Sequence, residues 1–176
     1  HRFAERRRTD ERFIALPCVS SESRNYLTPV FLENSSIISN RCFGIYGVPL
    51  WYLSILSSRI TYLWAETSSG KLESRLNYSN TLSWNTFPLP TLTEKNKVDL
   101  KRCAEDILLA REAHFPKTIA DLYNPDEMPD NLRQAHDKND ETLERVYIGR
   151  RFKNDTERLE KLFKLYTKMT TTEAKS

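Results

Sequence analysis

One short polar segment, residues 70–80, carries the side chains with the clearest chemical potential. If it forms an extended strand, Glu73, Arg75 and Asn77 share one face at intervals of about 7 Å, because side chains alternate along a strand. A carboxylate accepts a hydrogen bond from cytosine N4, a guanidinium donates two to guanine O6 and N7, and an amide pairs with adenine N6 and N7. This face is therefore chemically able to read base edges in a DNA major groove. Residue chemistry by itself favours a simpler alternative, a solvated strand face with an ion pair between Glu73 and Arg75.

The distribution of basic residues adds a weak hint of nucleic acid. The formal net charge is only +3, from 27 lysines and arginines and 24 acidic residues. The excess positive charge lies in the first half of the chain, where nearly all basic residues are arginine. Arginine suits planar, bidentate recognition of phosphates and guanine edges.

The elements that must position these residues change character near Pro88 and Pro90, which interrupt regular structure. Before this point, segments rich in β-branched and aromatic residues are bounded by Ser, Asn, Gly and Pro. They predict strands at 13–19, 26–32, 36–46, 71–77 and 81–84. One internal helix is predicted from Pro49 to about Gly70, because apolar residues recur there at three- and four-residue spacing.

The second half has about twice the density of charged residues and is predicted to be helical throughout. Helices are expected at 93–114, 119–123 and 130–147 and from residue 154 onwards, with Thr93 as an N-cap. The predicted fold class is α+β. A β-rich module with one internal helix occupies residues 1–90, and a small antiparallel helical bundle occupies residues 91–176.

Several common sites are not predicted. The four glycines do not have the spacing of a nucleotide-binding or methyl-donor loop. The three cysteines and three histidines are scattered, so neither a zinc site nor a disulfide framework is expected, and a reducing, intracellular compartment is favoured. The sequence has no signal peptide and no apolar run that could span a membrane. We expect a soluble, cytoplasmic protein.

Acidic residues near the helix at 130–147 raise the question of a metal-dependent nuclease. The better interpretation places them on a prolyl loop and on the solvent face of a charged helix, so no catalytic or metal-binding residue is predicted. His136 lies on the apolar stripe of the same helix and is predicted to be a hydrogen-bonded core histidine. The acidic residues concerned are Asp126, Glu127, Asp130, Asp137, Asp140 and Glu141.

Short segments spread over nearly the whole chain have a specific order. In the first half they are VSSESRNY at 19–26, ILSS at 55–58, GKLESR at 70–75, YSNT at 78–81 and WNTFP at 84–88. In the second half they include ADLY at 120–123, MP at 128–129 and LRQAH at 132–136. In this order the sequence resembles the C-terminal part of MmeI-like single-chain restriction-modification DNA methyltransferases.

The resemblance implies a parent enzyme that transfers a methyl group from S-adenosylmethionine to adenine N6, and many members also carry an endonuclease domain. The Asn-Pro-Pro-Tyr type catalytic motif and the glycine-bearing methyl-donor motif of that family have no counterpart in these residues. We therefore expect a bacterial, cytoplasmic target recognition fragment without a cofactor of its own. Its implied partners are double-stranded DNA and the methyltransferase domain of the same parent chain. The alternative is a helical protein-interaction module that does not bind DNA.

The resemblance also assigns residues to base recognition. Glu73 and Arg75 are implied to read one base pair, C·G with cytosine on the modified strand. Asn77 is expected to help to read another position. Arg41 is a further candidate from the preceding strand region.

Other basic residues are expected to contact the DNA backbone or brace a loop. Arg24 and Lys71 are the candidates for this role. The N-terminal cluster Arg6, Arg7 and Arg8 faces either DNA or the missing methyltransferase domain, and the sequence does not separate these two possibilities.

Overall fold

The computed structural model describes residues 12–173, and six short strands in its first half form two antiparallel sheets. The first sheet has the order β3-β1-β4 and the second the order β2-β6-β5. The strands are β1 (Phe13–Pro17), β2 (Val19–Ser20), β3 (Val30–Leu32), β4 (Cys42–Tyr46), β5 (Gly70–Leu72) and β6 (Arg75–Asn77).

Cys18 joins the two sheets, because it lies between β1 and β2 and hydrogen bonds on both sides. Its N–H donates to the carbonyl of Arg41 at 2.8 Å, and its carbonyl accepts from the N–H of Tyr78 at 2.7 Å. Through this residue, β1, which pairs with β3 and β4, continues into β2, which pairs with β6.

The predicted strands at 71–77 and 81–84 are wrong. Residues 70–77 form a hairpin, because Glu73 has a φ of 58° and turns the chain between β5 and β6. Asn80–Trp84 is a π-helix, capped where the Ser79 hydroxyl accepts the N–H of Leu82 at 3.2 Å. The strand predicted at 26–32 is shorter than expected, since β3 begins only at Val30. The strand predicted at 36–46 also begins late, because the residues before β4 form turns in which Ser36 and Cys42 donate to carbonyls three residues earlier.

The internal helix is divided into α1 (Trp51–Leu56) and α2 (Arg59–Ser68). The break falls at Ser57 and Ser58, and the Ser58 hydroxyl donates to the Ile55 carbonyl at 2.7 Å, where it competes with helical hydrogen bonds. Ser58 is extended and its Oγ accepts the N–H of Thr61, so it ends one helix and caps the next.

The helical second half agrees closely with the prediction. Thr93 caps its first helix as expected, in a reciprocal capping box with Asn96. Cys103 contacts Thr142 while His114 contacts Asn131, so the helix at 94–112 and the helix at 130–148 run antiparallel. The helices are α3 (Glu94–Glu112), α4 (Ile119–Leu122), α5 (Asp130–Ile148) and α6 (Asp155–Glu173).

The predicted α+β class is confirmed, with strands in the first half and helices in the second. The two halves share their core. Ile60 and Trp64 of α2 pack in one apolar cluster with Leu100, Leu143 and Leu162 from three helices of the second half. Between residues 12 and 173, no helix combines the length and apolar character needed to cross a bilayer.

Candidate nucleic-acid interface

The hairpin β5–β6 presents the predicted base-reading residues at the protein surface. Its strands pair through Gly70 with Asn77, Lys71 with Leu76 and Leu72 with Arg75. Leu76 is 3% exposed and anchors β6 in the core, whereas its neighbours Arg75 and Asn77 are exposed. The hairpin therefore has a buried foot and a polar tip.

The Glu73 and Arg75 side chains meet at this tip. Arg75 Nη2 lies 2.7 Å from Glu73 Oε2, and the two side chains are 48% and 76% exposed. The two residues do not share the expected strand face, because Glu73 lies in the turn. The left-handed backbone conformation of Glu73 brings the two side chains together. In water such an exposed pair contributes under about 1 kcal/mol to stability, so both groups are available to another partner.

Arg41 approaches the same region from the neighbouring sheet. Its carbonyl accepts the N–H of Cys18, whose own carbonyl accepts the N–H of Tyr78. Val19 pairs with Asn77 in the same row. The backbone of Cys18 thus connects Arg41, which directly precedes β4, to the residue that follows Asn77 at the end of β6.

The two candidates for backbone contact lie in different settings. Arg24 is half-buried in a turn, and its Nη1 donates to Thr28 Oγ1 at 3.4 Å, a contact that braces its own loop. Lys71 belongs to the edge strand β5. The arginine cluster at 6–8 lies outside the described residues.

Comparisons with known proteins cover nearly the whole chain. Residues 1–91 match the target recognition domain of MmeI, and residues 92–173 match the C-terminal domain of MmeI. The chain belongs to the MmeI family. It is 38% identical over 169 residues to DNA methyltransferase A of Bacillus subtilis (strain 168), a match that includes 96% of this chain and 19% of that protein.

A solved relative has the same fold. A structure of the type IIL restriction-modification enzyme MmeI in complex with DNA superposes with a TM-score of 0.89 and 33% identity. The match covers 93% of this chain and 22% of that one. This MmeI-family chain therefore spans about a fifth of the length of each relative.

In this MmeI-family chain, a buried polar stripe on α5 ties the strand-rich half to the helices. Three of its members lie three, four and eight residues after the first on one helix face, and none of the four is more than 4% exposed. The sequence predicted the burial of the histidine but not that of the other members. The members are His136, Asn139, Asp140 and Glu144.

His136 is a hydrogen-bonded core histidine, as predicted. Burial and the nearby Arg111 lower its pKa to about 3, so the ring is neutral. Its Nδ1 lies 3.1 Å from the Ser57 carbonyl, which only accepts, so Nδ1 carries the proton and Nε2 accepts from the Tyr123 hydroxyl at 2.6 Å. Arg111 in turn donates to that hydroxyl and to the Pro29 carbonyl.

Asp140 corrects the sequence prediction, which placed it on the solvent face. Its carboxylate accepts the backbone N–H of Arg59 at 2.8 Å and the Tyr26 hydroxyl at 3.1 Å. Burial raises the pKa of Asp140 to about 7, helped by the charge of Glu144 and opposed by the Arg59 N–H. Asn139 is also buried, and its Nδ2 donates to the Ser54 carbonyl at 2.9 Å.

The acidic residues do not assemble a metal site. Within residues 12–173, no group of three or more histidine, cysteine, aspartate or glutamate side chains has the arrangement to hold an ion. Two of the buried acids, Asp140 and Glu144, instead bind backbone N–H groups, of Arg59 and Phe152 respectively.

Proposed function

We propose that this chain is the DNA target recognition part of an S-adenosylmethionine-dependent DNA adenine-N6 methyltransferase of the restriction-modification type. In this proposal, Glu73 and Arg75 together read one C·G base pair in the major groove. The relatives named above support the enzyme class, and the DNA in the MmeI complex supports the partner.

The observation that carries the proposal is the exposed contact between Glu73 and Arg75. Guanine O6 and cytosine N4 are themselves paired in the double helix, so their major-groove edges are adjacent. Two side-chain ends held 2.7 Å apart match one such base pair better than two successive ones. Arg75 donates to guanine, and Glu73 accepts from cytosine N4.

The other predicted residues take supporting roles in this proposal. Asn77 at the end of β6 and Arg41 directly before β4 contact neighbouring base pairs. Arg24 holds its turn through Thr28 and contacts phosphate with the rest of its guanidinium. Lys71 pairs with Leu76 across the hairpin and contacts the DNA backbone.

The four glycines do not have the spacing of a methyl-donor loop. Two of them have structural roles instead. A Cβ at Gly44 would lie 2.8 Å from the Tyr46 ring, so this glycine serves internal packing. Gly149 has a φ of 77° directly after α5, where it ends the helix. We therefore assign the donor, and the transfer chemistry, to other parts of the methyltransferase.

A charge exchange tests the base assignment. The substitutions Glu73→Lys and Arg75→Asp are made together in the full-length methyltransferase that contains this chain, and methylated adenines are mapped by modification-sensitive sequencing. Lysine at position 73 then lies where the wild type reads cytosine, and aspartate at position 75 lies where it reads guanine. The recognised base therefore changes from C to G at one position. Arg75→Ala alone is expected to cost about 1–3 kcal/mol in discrimination at that position.

An exposed ion pair on α3 provides the matched control. Lys95 Nζ lies 2.6 Å from Asp99 Oδ2, and the exchange Lys95→Asp with Asp99→Lys is expected to leave the methylation motif unchanged. Persistence of the original motif after the hairpin exchange would refute the assignment of Glu73 and Arg75. A binding affinity independent of salt, together with a stoichiometric protein complex, would favour the protein-interaction alternative.

The proposed chemistry has its own test. Nucleoside analysis by mass spectrometry of treated DNA is expected to give N6-methyladenine only when S-adenosylmethionine is supplied. Methylcytosine as the product would contradict the adenine assignment and leave the hairpin assignment to its own experiment.

A further inference from the structure

Four serines connect the foot of the β5–β6 hairpin to α2 and to the π-helix. Ser68 ends α2, Ser69 precedes β5, Ser79 follows β6, and Ser83 lies in the π-helix. Ser83 is 2% exposed, so its hydroxyl must find its partners within the protein. These four residues are called the serine chain below.

The hydroxyls form a connected series of hydrogen bonds. The N–H of Ser79 donates to Ser69 Oγ at 3.0 Å, and Ser69 and Ser83 are joined through their hydroxyls. Ser83 Oγ lies 3.0 Å from Ser68 Oγ, and Ser68 Oγ donates to the Trp64 carbonyl at 2.7 Å. The Ser68 hydroxyl is the donor to Ser83 as well, so its single proton is shared between Ser83 Oγ and the Trp64 carbonyl, and either Ser69 or Ser83 donates in the contact between them. The series starts at the end of β6 and ends in the backbone of α2.

The serine chain holds the hairpin on the side of β5. Within residues 12–173, β5 is an edge strand whose pairing partner is β6, and Leu72 at its far end is 44% exposed. By contrast, β6 is held by pairing with β2 and by the buried Leu76, so β5 depends on β6 and on the serine chain. The foot is four residues from Glu73, about 13 Å along an extended strand, so a small rotation at the foot moves the tip by more.

We propose that the serine chain positions the hairpin for base readout, and that Ser69 and Ser83 are specificity-determining residues that do not touch DNA. The inference rests on the proposed function of Glu73 and Arg75. With the foot fixed, the Arg75 guanidinium meets the base pair in one orientation and rejects the wrong base. With the foot released, the tip adapts to other bases and discrimination falls.

The test uses Ser83→Ala in the full-length methyltransferase, with kcat/KM measured on the cognate site and on sites changed at single base pairs. The preference for the cognate base at the position read by Arg75 is expected to fall about tenfold, the equivalent of 1.4 kcal/mol. Preferences at base pairs read elsewhere are expected to stay within twofold. Ser69→Ala, at a half-buried position, provides a second variant should Ser83→Ala fail to fold.

Thr67→Ala is the matched control, since the Thr67 hydroxyl donates to the Leu63 carbonyl at 2.8 Å on the same helix, outside the serine chain. It is expected to retain full discrimination. An unchanged preference in Ser69→Ala and Ser83→Ala, or an equal loss at every position, would overturn the positioning role. If the Glu73 and Arg75 exchange changes the motif in the same assay, only the positioning role has failed; if it does not, the proposed function has failed as well.

Discussion

The ion pair between Glu144 and Arg158 gives the sharpest prediction about stability. Glu144 is fully buried, and Arg158 is 12% exposed. Arg158 Nε and Nη2 lie 2.8 and 2.5 Å from Glu144 Oε1, and the N–H of Phe152 donates to Oε2 at 2.8 Å. Arg158→Met keeps the apolar stem but leaves the carboxylate with one close donor, since Arg151 Nε is 3.9 Å away. Breaking a buried pair in this way costs about 3–5 kcal/mol.

Urea unfolding of the chain, followed by tryptophan fluorescence, measures this cost. The double variant Glu144→Met with Arg158→Met removes both charges, so it is expected to be more stable than Arg158→Met alone by at least about 1 kcal/mol. Arg145→Met, which breaks an exposed pair with Glu141, is the control and is expected to cost under about 1 kcal/mol. The reasoning is refuted if Arg158→Met costs no more than the control. It is also refuted if the loss in the double variant equals the sum of the losses in Glu144→Met and Arg158→Met.

Three further predictions concern burial, protonation and backbone conformation. Burial raises the pKa of Asp140 from 3.8 to about 7. The contribution of Asp140 to stability is therefore present below pH 3.8 and is lost as the pH rises through about 7. His136, with its lowered pKa, acts in the opposite sense. Asp140→Asn is therefore expected to be more stable relative to the wild type at pH 8 than at pH 4 in urea unfolding, and an equal difference at both pH values would contradict this. Gly149→Ala forces a side chain into a φ of 77°, so a loss of about 1 kcal/mol is expected in thermal unfolding, with less in Gly149→Asn; equal stabilities would argue against strain. Leu143→Ala, at a fully buried position, should lose about 2–5 kcal/mol, whereas Leu109→Ala, 62% exposed, should stay within about 0.5 kcal/mol, and similar losses in chemical denaturation would refute the core assignment.

The helices of the second half could be predicted because their signals are local. Thr93 caps α3 through a partner three residues away, and Gly149 ends α5 through its own backbone freedom. The apolar spacing also identified the core face of α5, including Leu132 and His136. For the same reason, the α+β class followed from the change in pattern near Pro88.

The burial of polar residues could not be predicted in this way. Asn139 and Asp140 look like solvent-facing residues of a charged helix, and only contacts with Ser54 and with Arg59, more than 80 residues earlier, make their burial favourable. The sequence did contain an indication of this burial, since Asn139 and Asp140 both lie between His136 and Leu143 on the apolar face. A polar side chain at such a position indicates burial only when its partner is known.

The candidate site shows the same division. The amino-acid sequence by itself determined which side chains could read a base pair, because the chemistry of Glu73 and Arg75 is independent of the fold. Only the tertiary structure decided how they meet: the turn at Glu73 reverses the chain, Leu76 anchors one strand of the hairpin, and the serine chain fixes its foot. The turn and the serine chain join residues within 68–83, whereas Leu76 packs with Ile14 and Ala104 from distant parts of the chain, so the free energy of this anchor exists only once the whole chain has folded.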